Sequence, residues 1–117
     1  MTNNSDIEKQ GIHYADILRS RTKIPANFKF SGYAIQNCLT DEFLVAASMQ
    51  TPDTPDFSCC IWTSSPEMAC VFGSFGDVIQ LFFDMSDCHY DVNVVFLFES
   101  DKRFMVSGFE EKPQRGS

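Results

Sequence analysis

The chain has 117 residues, a formal net charge of −7 at pH 7 and a hydrophobic fraction of 44%, which together are typical of one globular domain over 1–117. The acidic balance argues against binding to nucleic acids, because their phosphate backbone would be repelled. The longest apolar run, Val94–Phe98, is far too short to span a membrane, and the polar N-terminus lacks the apolar core of a secretory signal.

Residues 6–21 have the apolar spacing of an amphipathic helix. Ser5 is predicted to cap its N-terminus, and Glu8, three residues further on, would complete a capping box. Gly11 weakens helical structure, so the helix could begin after it. Pro25 is expected to end the helix, since the residue before a proline avoids the helical conformation. The side chains predicted to point inward are Ile7, Tyr14, Ile17, Leu18 and Arg21.

The next segment favours a strand with an irregularity. Phe28–Phe30 and Tyr33–Ile35 are rich in strand-forming residues and surround Gly32, which predicts a β-bulge at that glycine. Residues 40–49 fit two structures: Thr40 would cap a helix that opens with two acids, and the same apolar residues would also form a buried strand. We favour the helix.

The middle of the chain is predicted to alternate loops with short elements. Residues 51–56 contain two prolines and two aspartates, which indicate a loop. Ser58–Thr63 has the composition of a short buried strand. Ser65–Glu67 begins a short helix, with serine at the cap and proline at the first helical position. Asp77–Asp84 is short and apolar on both sides, which favours a buried strand.

The C-terminal region contains the clearest element. Tyr90–Phe98 and Arg103–Phe109 are two strand-like runs separated by the polar residues 99–102, which predicts a β-hairpin with a four-residue connection. The first run is apolar on both faces. A strand of that kind lies inside a sheet that is covered on one side by helix.

These elements predict an α+β fold, in which an N-terminal helix and short helices pack on a mainly antiparallel sheet that ends in a C-terminal hairpin. We expect the whole chain to form a single domain. Residues 1–5 and 113–117 are expected to be disordered, and 115–117 resemble the remnant of an expression tag.

The cysteines indicate a compartment rather than a reaction. Their number is odd and their spacing irregular, which argues against a disulfide framework and predicts free thiols in a cytoplasmic protein. Structural zinc sites need paired ligands two to four residues apart, and neither Cys59-Cys60 nor Cys88-His89 has that spacing. We therefore expect no metal and no cofactor. The cysteines are Cys38, Cys59, Cys60, Cys70 and Cys88.

The charges are distributed unevenly along the chain. The 72 residues from Phe30 to Asp101 contain eleven acids and no lysine or arginine, whereas each flanking segment carries a net charge of +2. Acids without interspersed bases repel one another and weaken the folded state. They could serve solubility alone, or they could form a negative surface that attracts a basic partner.

We expect a non-enzymatic binding protein that inhibits a basic protein partner. Its small, acidic, motif-poor profile is similar to that of bacterial immunity proteins, which neutralise toxins. Tyr90 and Trp62 are candidate aromatic anchors, because aromatic side chains dominate interface hot spots, although Trp62 also fits a core position. The candidate binding acids are Asp53 and Asp56 in the proline-rich loop, with Asp84, Asp87 and Asp91 before the hairpin.

Two other functions are compatible with the sequence. The chain has no glycine-rich phosphate loop, no G-x-S-x-G elbow and no H-E-x-x-H motif, so an enzyme would need a site assembled by the fold from Cys88, His89 and nearby acids. Such a site would lie in a deep apolar pocket. A subunit or chaperone-like adaptor would instead expose a stripe of phenylalanines as its docking face.

Overall fold

The computed structural model describes residues 4–47, 60–101, 103–109 and 112–113. Within these ranges, two helices pack on a five-stranded antiparallel sheet with the strand order β3-β2-β1-β4-β5, which confirms the α+β prediction. Neither helix has the length and apolar content needed to cross a bilayer. In chain order the elements are α1 (Asn4–Arg21), β1 (Lys29–Asn37), β2 (Phe43–Ala47), β3 (Cys60–Thr63), a 3-10 turn (Pro66–Met68), α2 (Phe75–Asp87), β4 (Val92–Ser100) and β5 (Arg103–Gly108).

Helix α1 is continuous through Gly11, so the prediction that it could begin after this glycine is wrong. Its buried stripe contains Gly11, Ala15 and Leu18, at a spacing that matches the helical period. The predictions for two other residues are also wrong, because Ile17 is 36% exposed and Arg21 faces water. The buried face of α1 is therefore narrower than its hydrophobicity suggests.

The two ends of α1 differ from the predicted ones. The helix begins at Asn4, so Ser5 lies inside it, and the capping-box prediction is wrong for Glu8, whose carboxylate binds α2 instead. At the other end Lys23 adopts a left-handed conformation with φ of 54°, and the Ile24 N–H donates to the Arg19 carbonyl oxygen at 3.0 Å. This is a Schellman motif, and it ends the helix before Pro25.

Strands β1 and β4 form the centre of the sheet. They pair from Lys29 opposite Glu99 to Asn37 opposite Val92. Every residue from Val94 to Phe98 is buried, because β4 lies between β1 and β5 and is covered on both faces. The prediction that this strand lies inside the sheet is confirmed.

Two local features of these strands were also predicted. The pairing of β1 with β4 shifts register between Phe30 and Gly32, which confirms the bulge. The β4–β5 hairpin is confirmed as well, but Ser100 pairs directly with Arg103, so its connection has two residues rather than four. The polar ends of both runs therefore belong to the strands.

The helix favoured for residues 40–49 is wrong, and the alternative strand is correct. Phe43 and Leu44 are both buried and point to opposite faces of the sheet, which a strand allows and an amphipathic helix does not. Strand β2 pairs with β1 at Gln36 and with β3 on its other side. The predicted buried strand that followed lies at the sheet edge, where Ile61 is 58% exposed; residues 58 and 59 are outside the described residues.

Helix α2 occupies the segment that was predicted to be a buried strand, Asp77–Asp84, so that prediction is wrong. The Ser74 hydroxyl caps the helix by accepting a hydrogen bond from the Asp77 N–H at 3.3 Å. The helix predicted from Ser65 is a single 3-10 turn. Four buried side chains of α2 recur at helical spacing: Phe75, Val78, Phe82 and Met85.

The sheet buries apolar side chains on both faces. The helices cover one face, and the segment around the 3-10 turn covers part of the other, where Ala69 packs beside β4. Between Ala69 and Phe72 the chain passes from the second face to the first, because Phe72 packs in the cluster under the helices. Phe72 pairs with Tyr33 at this crossing, and Gly32, with φ of 153°, leaves room for the neighbouring Val71.

Candidate functional site

The pairing of β1 with β4 defines two ends of the sheet, and these ends differ in charge. The basic end contains the start of β1, the β4–β5 hairpin and the C-terminus of α1. Arg19 fastens α1 there, because its guanidinium donates to the Phe28 carbonyl oxygen at 2.6 Å and lies 5.1 Å from the centre of the Phe98 ring. In the described part of the chain, the bases of this end are Arg19, Arg21, Lys23, Lys29 and Arg103, with Glu99 and Asp101 among them.

The acidic end is the opposite end of the sheet, where β1 finishes and β4 begins. It also contains the turn between β1 and β2, the last turn of α2 and the connection from α2 to β4. The Cys38 N–H donates to the Asp91 carbonyl oxygen at 2.8 Å, which ties the two connections together. Among the residues that the structure describes, the acids of the acidic end are Asp41, Glu42, Asp84, Asp87 and Asp91.

The turn between β1 and β2 is closed by its own hydrogen bonds. The Asn37 side-chain oxygen accepts from the N–H groups of Leu39 at 2.9 Å and Thr40 at 3.3 Å. The Asp41 N–H donates to the Asn37 carbonyl oxygen at 2.8 Å, and the Asn37 N–H donates to that of Glu42 at 2.7 Å. Asp41 takes a left-handed conformation with φ of 62°, which aspartate tolerates better than most residues.

The C-terminus of α2 places two acids where they are unfavourable. The helix ends in a Schellman motif, in which His89 has φ of 70° and the Tyr90 N–H donates to the Met85 carbonyl oxygen at 3.1 Å. Asp84 and Asp87 lie in the last turn, which contains no lysine or arginine. The helix dipole is negative at this end and opposes both carboxylates, while that of Asp84 accepts a hydrogen bond from Gln80 Nε2 at 3.0 Å.

Asp91 is linked to a base from the C-terminal segment. Its carboxylate accepts a hydrogen bond from Lys112 Nζ, which is the main cause that holds the pKa of Asp91 below its usual value. Burial raises the pKa of the neighbouring Cys38 thiol, and the charges of Asp91 and Asp41 raise it further against an opposing effect of Lys112. Cys38 therefore stays protonated at neutral pH and is a weak nucleophile.

A different carboxylate, that of Glu8, is fully engaged by the fold. It accepts hydrogen bonds from the Phe75 N–H at 2.8 Å, the Gly76 N–H at 3.0 Å and the Ser74 hydroxyl at 2.9 Å. Burial raises the pKa of Glu8, but the three hydrogen bonds together outweigh it and leave the value lowered. Burial, with the charge of Glu8, raises the pKa of Tyr33 to about 12. Glu8 is thus an anionic cap that joins α1 to α2.

The structure brings some of the predicted binding residues together. Asp84, Asp87 and Asp91 share the acidic end, whereas Asp53 and Asp56 lie outside the described residues. The contribution of the β1–β2 turn to this end was not predicted from the sequence. A cluster of Asn, Thr, Asp and Glu between two apolar runs was the available signal, and the preference for a helix at 40–49 concealed it.

The two candidate aromatic anchors are neighbours. The rings of Trp62 and Tyr90 have centroids 6.5 Å apart, and the Tyr90 hydroxyl accepts a hydrogen bond from the Cys60 thiol at 3.8 Å. Both rings are half-buried against the cluster under the helices. Trp62 therefore lies at the margin of the core, on the edge strand β3.

The structure places the residues of the other two candidate functions as follows. His89 is exposed at the end of α2, and Cys88 is half-buried. Among the described residues, no three His, Cys, Asp or Glu side chains are close enough to hold a metal ion. Every phenylalanine in the described ranges is buried or half-buried, so these ranges contain no exposed phenylalanine stripe for an adaptor. No protein-family model, curated protein or solved structure matches this chain.

Proposed function

We propose that this protein is a non-enzymatic binding protein whose acidic end attaches to a basic protein partner and inhibits it, in the manner of an immunity protein that neutralises a toxin. The observation that supports this proposal is the separation of charge along the sheet. Among the described residues, five acids from the β1–β2 turn, α2 and the connection to β4 share one end with a single base, Lys112. Five bases share the other end with Glu99 and Asp101. A partner with a positive surface is attracted to one end and repelled by the other.

The positions of Asp84 and Asp87 favour binding over solubility as the reason for these acids. A carboxylate at a helix C-terminus typically costs about 0.3–1 kcal/mol because it opposes the helix dipole. Acids placed elsewhere on the surface would improve solubility without that cost. The hydrogen bond from Gln80 offsets part of this cost for Asp84, and the placement of two acids in the last turn of α2 is explained if a partner uses their charge.

The same geometry favours rapid association. A molecule with one negative and one positive end is oriented by the field of a charged partner before contact, which raises the association rate roughly tenfold to a thousandfold. This steering depends on ionic strength. It weakens as the screening length falls from about 30 Å at low salt to about 8 Å at physiological salt.

The test compares two triple variants that change the net charge equally. One reverses Asp84, Asp87 and Asp91 to lysine, and the matched control reverses three acids that do not belong to the acidic end. Both are used, with the wild type, to capture partners from a cell lysate, and association rates with the captured protein are then measured at several salt concentrations. The control variant carries Glu67→Lys, Glu99→Lys and Asp101→Lys.

We expect the acidic-end variant to associate at least about tenfold more slowly at low salt and to lose most of its salt dependence, because the steering charge is removed. The control variant should retain both the rate and the salt dependence within about threefold. Equal losses in the two variants would mean that net charge alone matters. The acids would then serve solubility, and the proposal would be wrong.

A further inference from the structure

The β1–β2 turn presents one large apolar side chain at the acidic end. Leu39 is 79% exposed, more than any other large hydrophobic residue in the described part of the chain. Exposing a leucine to this extent forgoes the favourable transfer of its side chain out of water. The turn is not a loose loop in which such exposure would be incidental, since Asn37 and Asp41 close it with backbone and side-chain hydrogen bonds.

The surroundings of Leu39 are charged rather than apolar. Asp41 is exposed beside it in the turn, and Glu42 follows. Asp91 lies in the neighbouring connection, held there by the hydrogen bond from the Cys38 N–H to its carbonyl oxygen, and Lys112 offsets the charge of its carboxylate. An exposed apolar side chain beside a net negative charge has the layout of an interface hot spot, in which a central anchor is buried on binding and a polar rim excludes water.

We infer that Leu39 is the apolar anchor of the acidic end, and that it packs on an apolar patch of the partner that is bordered by lysines or arginines. This inference rests on the proposed function and specifies the surface that the partner must have. Charge complementarity identifies the border of the patch, since Asp41 and Glu42 follow Leu39 in the turn and keep this region negative after Lys112 offsets Asp91. The closed turn adds affinity because it is already ordered before binding and little conformational freedom is lost on contact.

Two synthetic peptides of equal charge are suitable probes. One is a 14-residue leucine–lysine peptide with an apolar face bordered by lysines, and the other replaces each leucine with serine. The dissociation constant of the serine–lysine peptide divided by that of the leucine–lysine peptide measures the apolar contribution to binding. The ratio is measured for wild type, for Leu39→Ser and for the control Met68→Ser, a residue that is 63% exposed and belongs to the 3-10 turn.

We expect Leu39→Ser to weaken binding of the leucine–lysine peptide about tenfold, as for other anchor residues, and to leave binding of the serine–lysine peptide unchanged. Met68→Ser should change neither. The inference is overturned if Leu39→Ser leaves the ratio of the two dissociation constants unchanged, or if Met68→Ser lowers this ratio equally. It is also overturned if Leu39→Ser weakens the binding of both peptides to the same extent. Circular dichroism of each variant confirms that the fold is retained.

The acidic-end triple variant separates this inference from the proposed function. If that variant binds both peptides more weakly while Leu39→Ser has no effect, the acidic end is a binding surface and Leu39 is not its anchor. If neither substitution affects either peptide, the proposed function and the inference both fail. Weakening by the triple variant together with a selective effect of Leu39→Ser supports both.

Discussion

The hydrogen bonds of Glu8 make a direct prediction about stability. Glu8→Gln keeps the size of the side chain but removes its charge, and it turns one acceptor oxygen into an NH₂ group. In one orientation of the amide, the NH₂ group would face the Phe75 N–H donor. In the other orientation it would face the Gly76 N–H and the Ser74 hydroxyl. Glu8 is half-buried, so water can reach donors that lose their partner, and the loss falls in the range of helix-cap substitutions.

We therefore expect Glu8→Gln to lower the free energy of unfolding by about 1–2 kcal/mol at pH 7. For a domain of this size that loss corresponds to a decrease in melting temperature of about 4–8 °C. Urea unfolding followed by the fluorescence of Trp62, the single tryptophan, measures the difference. The matched control is Asp6→Asn, which removes the charge of an exposed side chain in the first turn of α1.

The pH dependence tests whether the carboxylate is the cause. Folding lowers the pKa of Glu8 from 4.5, so its stabilising effect is fully present above that value and is lost as the pH falls through the lowered one. The difference in the free energy of unfolding between wild type and Glu8→Gln should therefore shrink as the pH decreases from about 5 toward about 3, because the carboxylate becomes protonated there. A difference that is constant with pH, or an equal loss in Asp6→Asn, would refute the role of Glu8 as a cap of α2.

Two further substitutions test the packing of the core. Gly11→Ala should destabilise the fold by about 1–3 kcal/mol despite the better helix propensity of alanine, because its Cβ would lie 2.4 Å from Tyr33 Oη. Thermal melts measure this loss. The control Gly73→Ala should be nearly neutral, since a Cβ at residue 73 would have no atom within 4 Å. Phe96→Ala should lower the free energy of unfolding by about 3–5 kcal/mol, since this ring is fully buried and contacts that of Phe109. A loss below about 1 kcal/mol in urea unfolding would contradict the central position of β4.

The sequence predicted correctly those elements whose structure depends on residues close together in the chain. The β4–β5 hairpin was predicted because two strand-forming runs flank a short polar segment, and the bulge at Gly32 because a glycine interrupts a strand. The prediction of a strand at Asp77–Asp84 was wrong because apolar residues fall on every side of this short stretch. Its helical period appears only when Phe75 and Met85 are included.

The sequence by itself determined the fold class, the hairpin and the existence of a base-free acidic segment, since composition and short-range pattern suffice for these. Tertiary structure alone decided that 43–47 forms a strand, because burial on both faces depends on what packs against it. It also decided the role of Glu8, whose hydrogen-bond partners in α2 lie 66 to 68 residues away. The acidic end has the same origin: chain reversals bring Asp41 and Asp91 to one end of the sheet, and no local pattern encodes which distant segments a reversal will join.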